Sequence, residues 1–368
     1  MREYWMYFPF FILNDWGKRS AGARSSHCAV LPKEKEGTDA PSRLSPHILM
    51  RESIRRCPMP IVKTDLPMTY RLCRDTIAEI TEAYPVCSSR SLTTTAFGRE
   101  VLALGIGSGG RTVLFSAAHH ANEWITATVL LKFAEELSRA ITEGGSIYGI
   151  PGNLFERYCS IFLVPMVDPD GVDLVTGAIP EGSLQWEQAA GLADNYPNIP
   201  FPEGWKANLL GVDLNLQYPA GWLQAREIKF SQGYTRPGPR DYVGRAPLTQ
   251  RESMAMADFT RYLDPVLTLA FHTQGETIYW KYDDIEVPGA RELGEEFARL
   301  SGYTLEDTPY ESGFAGYKDW FIKTWRRPGF TIEAGTGMNP LPLSQFDSIY
   351  NACLGILTTA ALGLPGGV

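Results

Sequence analysis

Three short apolar runs in this chain each end in a residue able to bind a metal or move a proton. Val113 to Ala118 runs into His119 and His120, Val266 to Phe271 into His272, and Phe330-Thr331-Ile332 into Glu333. Runs of this length and composition read as buried strands. In open α/β sheets, ligands bind beyond the carboxyl ends of the strands. A fold that gathers these ends therefore brings two imidazoles and a carboxylate to one edge. Glu123 lies three residues after His120, so both side chains can be directed at one point. Two histidines and one carboxylate make a three-ligand zinc site with an open fourth position, which hydrolytic zinc requires. His-x-x-Glu is common by chance, and an isolated core histidine is the more frequent meaning of such a motif. The strand ends are what give it weight. His119 competes with His120 for the role, but neighbouring strand residues point to opposite faces.

The rest of the pattern fits an α/β sheet. Helical spacing of apolar residues marks Tyr70 to Tyr84, Ile125 to Leu137, Ala290 to Leu300 and Gln345 to Leu362. Strand-like runs at 101–106, 113–117, 160–166, 266–271 and 330–332 fall between them. This alternation predicts a sheet with helices on both faces. Asp168-Pro169-Asp170-Gly171 reads as a turn. Residues 172–250 are rich in Pro, Gly, Asn and Trp and read as long surface loops, which often form a substrate cleft.

Charge is divided unevenly. Residues 1–64 carry 11 Lys and Arg against 6 Asp and Glu, although the whole chain has a net charge of −8. An acidic body argues against nucleic acid as a partner. Residues 1–63 read as a poorly ordered basic extension, and 64–368 as the catalytic domain. No apolar run reaches the ~20 residues that span a bilayer, so no membrane span is expected. Met6 to Leu13 is a poor signal peptide. The six cysteines form no CxxC pair and read as free thiols. A cytoplasmic location is the expectation.

Several segments together resemble the zinc carboxypeptidase A family over about residues 65–365. They are His119-His120-Ala121-Asn122-Glu123-Trp124-Ile125, Pro165 to Gly171, Trp205-Lys206-Ala207-Asn208, Gly211-Val212-Asp213-Leu214-Asn215, His272-Thr273-Gln274-Gly275, Ser312-Gly313 to Asp319-Trp320, and Phe330 to Glu333. They occur in the family's order and near its spacing. The resemblance implies a three-layer α/β/α fold with a mixed, mostly parallel central sheet. It implies one zinc ion held by His120, Glu123 and His272, with Glu333 as the general base. It sets Lys206 where digestive members place an oxyanion-stabilising arginine, Tyr310 as the nearest match to a substrate-capping tyrosine, Asn215 as a substrate contact, and Asp213 as the partner of His120.

The departures bear on substrate. Asn122 and Leu216 stand where digestive members have anion-gripping arginines. The variant segments are instead similar to a bacterial branch, the γ-D-glutamyl-meso-diaminopimelate peptidases. Gly211 to Ala220, His272 to Glu276 with Tyr279-Trp280, Lys318-Asp319-Trp320, and Glu333 to Pro342 carry that likeness. Lys318 falls at the base of the pocket after the scissile bond, where a cation suits a side chain ending in a carboxylate. The implied activity is hydrolysis of the γ-D-glutamyl–diaminopimelate bond of a murein stem peptide. A metallocarboxypeptidase of other specificity, and a zinc amidohydrolase or deacylase of the same fold, are the alternatives. A catalytically dead wall-peptide binder would have lost a ligand or the base, and this chain keeps all four.

Overall fold

The computed structural model describes residues 60–364. Most of the expected basic extension lies outside the described residues.

Helix α1 (Tyr70–Ala83) begins where Thr69 caps it, its hydroxyl accepting from the Leu72 N–H at 3.2 Å. It buries Cys73, Thr76, Ile77 and Ile80, one stripe at helical spacing. Strands β1 (Cys87–Thr94), β2 (Glu100–Ile106) and β3 (Arg111–Ala117) follow. Helix α2 (Ile125–Glu143) runs six residues past its expected end and stops at Gly144, whose φ of 71° suits a glycine C-cap. A small hairpin, β4 (Ser146–Ile147) and β5 (Ile150–Pro151), leads to α3 (Gly152–Tyr158) and β6 (Cys159–Val164). Helices α4 (Pro169–Val175), α5 (Leu184–Ala193), α6 (Trp222–Ser231) and α7 (Arg251–Leu263) precede β7 (Leu267–His272) and β8 (Thr277–Tyr279). The chain then forms α8 (Ala290–Ser301), β9 (Thr304–Glu306), α9 (Tyr317–Trp325), β10 (Gly329–Glu333) and α10 (Phe346–Leu362).

Eight strands make one sheet in the order β1-β2-β6-β3-β7-β10-β8-β9. The four central strands, β6, β3, β7 and β10, are mutually parallel. The β1–β2, β2–β6 and β10–β8 pairs are antiparallel. The architecture is the expected three-layer α/β/α. On one face, Val113, Phe115 and Ala117 of β3 and Leu267, Leu269 and Phe271 of β7 join α1, α2, α8 and α10 in the main core. Strand alternation turns Thr268, Ala270 and His272 to the other face, where α9 packs on β7 and β10.

Two expectations are corrected. Asp168-Pro169-Asp170-Gly171 opens a helix rather than forming a turn. Asp168 caps α4 by accepting from the Gly171 N–H at 3.0 Å, and Pro169 occupies the first turn, where its missing N–H costs nothing. Residues 172–250, expected as loops, contain α5 and α6. These helices bury little, only Ala189 and Ala193 in one and Ala225 and Lys229 in the other. Strand β1 escapes the pattern because it is an edge strand, largely polar and exposed.

Candidate metal centre and cleft

The strand ends converge as the pattern predicts. β3 stops at Ala117, and Ala118 takes a left-handed conformation with φ 46°. Its N–H is held by the Thr126 hydroxyl at 3.1 Å and its carbonyl accepts from Asp168 at 2.9 Å. His119 and His120 therefore leave the strand and separate. His119 turns inward, with Nε2 3.1 Å from the Tyr218 hydroxyl. A single 3₁₀ turn over Ala121–Glu123 folds Glu123 back towards His120. β7 delivers His272, and the parallel register sets Glu333 of β10 directly beside it.

His120, Glu123 and His272 are all buried, and their ligand atoms lie within 4.8 Å of one another. His120 Nδ1 is 3.0 Å from Glu123 Oε1, His272 Nδ1 is 2.8 Å from Glu123 Oε2, and the two Nδ1 atoms are 3.2 Å apart. A tetrahedral ion with bonds near 2.1 Å needs ligand–ligand edges of about 3.4 Å. The triad thus lies close to the spacing that zinc requires, with a donor set that suits it. The outer nitrogen of His120, Nε2, faces Asp213 Oδ1 at 3.1 Å. Asp213 also accepts from the backbone N–H groups of Asn215 at 3.1 Å and Asp241 at 3.3 Å. Such a carboxylate fixes the ring's tautomer and aims its other nitrogen. Lys206 Nζ lies 3.0 Å from Glu123 Oε1.

The electrostatics of these groups follow from burial and mutual charge. Burial opposes ionisation of Glu123, but Lys206, His120 and His272 hold its carboxyl well below the usual range. Burial likewise opposes the charged form of Asp213, and His120 with Lys206 and Lys229 overrides it downwards. Glu333 is pushed up by burial, opposed by His272 and reinforced by Glu123. Burial keeps His119 neutral, helped by the neighbouring His272 and His120. Burial works against the Lys206 charge, and Glu123 more than restores it.

Two cavities meet at the centre. One, about 400 Å³, is lined by His120, His272, Asn215, Leu216, Lys318 and Asp319 among others. The second, about 710 Å³, includes Asn122, Thr273, Gln274 and Asn339. Lys206, Arg240, Tyr279, Ser312 and Glu333 line both. Lys318 is buried on the wall of the smaller cavity, donating to Asp319 Oδ1 and the Lys281 carbonyl, each at 2.6 Å. The Asn215 side-chain Oδ1 accepts from the Tyr317 N–H at 3.0 Å, and its side-chain Nδ2 has no protein partner among the described residues. Tyr310 stands apart. It is 62% exposed, lines neither cavity, and its hydroxyl accepts from Gln224 at 3.0 Å on α6. Among the cavity-lining residues that the motifs did not single out are Arg240, Lys229 and Asp241. They sit in the region expected to form cleft loops, and their charge in that region was the available signal.

A model of the zinc carboxypeptidase family, peptidase M14, matches residues 73–352. The chain belongs to the zinc carboxypeptidase family. It is 42% identical over 287 residues to γ-D-glutamyl-L-diamino acid endopeptidase 1 of Lysinibacillus sphaericus, covering 78% of this chain and 70% of that one. Among solved structures, thrombin activatable fibrinolysis inhibitor superposes with a TM-score of 0.65 at 16% identity, over 83% of this chain and 78% of that one. Carboxypeptidase A from Helicoverpa armigera superposes with a TM-score of 0.60 at 15% identity, over 82% and 75%. These structures establish the zinc carboxypeptidase fold. This member of the family is a zinc-dependent metallopeptidase. Among the described residues no helix is long and apolar enough to cross a membrane.

Proposed function

We propose that this enzyme hydrolyses the amide bond between γ-D-glutamate and diaminopimelate in murein stem peptides. The observation that carries this reading is the buried Lys318–Asp319 pair on the wall of the smaller cavity. Diaminopimelate ends in a carboxylate and an ammonium, so a cation beside an anion complements both. Asn122, which donates to the Glu203 carbonyl at 3.1 Å, and the apolar Leu216 offer no grip on an ordinary terminal carboxylate. That weakens the reading as a general carboxypeptidase. The likeness to a γ-D-glutamyl-L-diamino acid endopeptidase supports the same conclusion.

His120, Glu123 and His272 would hold the zinc, which when bound polarises the scissile carbonyl and acidifies water. Glu333, lining both cavities, sits where the two halves of the substrate meet. Its carboxylate takes a proton from the attacking water as the C–O bond forms, and returns it to the amine as the C–N bond breaks. Lys206 supplies positive charge for the developing oxyanion, without the bidentate fork of an arginine. Asn215 offers amide donors to the substrate. Tyr310 would reach the cleft only by leaving Gln224, so its capping role requires a movement of residues 308–312. Buried free thiols at Cys73, Cys87, Cys159 and Cys353 suit a reducing compartment. We place the enzyme in the cytoplasm on that ground, and cell fractionation tests it.

The decisive variant is Glu333→Gln. It is expected to retain zinc, measured by atomic absorption, and to lose turnover of the stem tripeptide by at least about a thousandfold. Turnover at the parent's rate would remove Glu333 as the base. Mass spectrometry of the parent's products tests the substrate. Cleavage elsewhere than after γ-D-glutamate would leave a metallopeptidase of different specificity.

A further inference from the structure

We propose that Arg240 reads the free α-carboxylate of the γ-glutamyl residue and thereby selects substrates that carry it over those in which it is amidated. This rests on the substrate reading above.

The two cavities divide the substrate at the scissile bond. The smaller, with Lys318 and Asp319, takes the diamino acid, and the larger takes the acyl half. In a γ-glutamyl amide the α-carboxylate is attached to the third carbon from the scissile carbonyl. It therefore lies just on the acyl side of the junction. The cations lining the larger cavity are Lys206 and Arg240. Lys206 is engaged with Glu123 at 3.0 Å. Arg240 lines both cavities, and its side chain is 39% exposed.

Arg240 is also held for the task. Its Nε donates to Asp241 Oδ2 at 2.7 Å, while the terminal nitrogens have no protein partner among the described residues. Those terminal nitrogens are the edge that binds a carboxylate in bidentate fashion. Asp241 is fixed in turn by Lys229 at 2.8 Å, and its left-handed backbone, φ 63°, donates to Asp213 Oδ2. The backbone around it is pinned on both sides. The Pro239 carbonyl accepts from Lys206 at 2.7 Å and from Ala207 at 2.9 Å, and the Tyr242 carbonyl accepts from Asp213 at 2.9 Å. The buried Gln217 amide donates to the Val243 and Ala246 carbonyls. The loop is thus tied to the segments carrying Lys206 and Asp213. A guanidinium on so constrained a loop needs little reorganisation to bind.

The test compares two tripeptides, one with the free D-glutamyl α-carboxylate and one with that group converted to a primary amide. Parent enzyme is expected to favour the free acid by roughly 10- to 100-fold in kcat/KM, the range of a charge-assisted hydrogen bond. Arg240→Gln should abolish that preference, losing most of its rate on the acid and much less on the amide. Arg240→Lys should keep part of the preference. Zinc content and thermal melting of each variant confirm folding. A merely structural role would lower both rates together, so an unchanged preference in Arg240→Gln overturns the proposal. So does a parent enzyme that cleaves both peptides equally, and that result leaves the substrate reading intact. If the parent cleaves neither peptide but does hydrolyse ordinary C-terminal residues, the substrate reading fails and the role of Arg240 falls with it.

Discussion

Asp213 ties two parts of the site together. Its Oδ1 accepts from His120 Nε2, and its Oδ2 is tied to the 240 loop through the Asp241 N–H. With an ion bound, the first contact would leave His120 Nδ1 as the unprotonated nitrogen facing it. Asp213→Asn keeps the size but makes one side of the group a donor, so it no longer specifies the tautomer. Zinc affinity should fall by about 10- to 100-fold, measured by competition with a chromophoric chelator. Unchanged affinity would mean that His120 is oriented by its packing alone. Residues of this kind were legible in the sequence to different degrees. His120, His272 and Glu333 stand out because each interrupts an apolar run, and a buried polar residue at a strand end demands a partner. Arg240 carries no such mark. It sits on a loop whose geometry is set by distant contacts, from Gln217 to the Val243 and Ala246 carbonyls and from Lys206 and Ala207 to the Pro239 carbonyl, which no local pattern records.

At the scale of elements, the first turn of α7 carries a buried acid that no catalytic argument requires. Glu252 is 3% exposed, and burial pushes its carboxyl up to about 7 from 4.5, with Asp170 adding and the Asn208 side chain opposing. A carboxyl raised in the folded state favours folding at low pH, and the advantage is lost as pH rises from about 4.5 through about 7. Stability of the parent should therefore decline across that window, by up to about 3 kcal/mol from this group. Glu252→Gln should decline less. Buried Asp168 is raised in the same direction, partly by Glu252 itself, so the slope shrinks rather than vanishes. Urea unfolding of both proteins at pH 5 and pH 8 decides it, and parallel declines would exclude Glu252 as the cause. The elements themselves were legible where one face is apolar, as in α1 and α2. They were not legible where the same residues serve two structures. Asp-Pro-Asp-Gly is as good a helix start as a turn, and the main chain's route, tied down by Asp168 N–H to Ala118, selects the helix. In α5 and α6 the buried faces are too narrow to leave a period.

For the whole molecule, the question is whether metal holds the fold or only the site. The main core packs α1, α2, α8 and α10 on one face of the sheet. The candidate ligands His120, Glu123 and His272 lie at or just beyond the strand ends and draw on the opposite face through His272. Glu123 lies within 3.0 Å of His120, His272 and Lys206, groups that can compensate its charge in place. The fold should therefore survive zinc removal, while the native state loses the free energy of binding. At free zinc a thousandfold above Kd that is about 4 kcal/mol, which for a domain of this size corresponds to a melting shift of roughly 5–15 °C. Chelated protein should keep its far-ultraviolet circular dichroism at 25 °C, melt earlier by that amount, and recover on adding zinc. His120→Ala should melt near the chelated parent, and added zinc should not raise it. A chelated chain already unfolded at 25 °C would make the metal structural. A parent that melts identically with and without zinc would show that His120, Glu123 and His272 do not hold it.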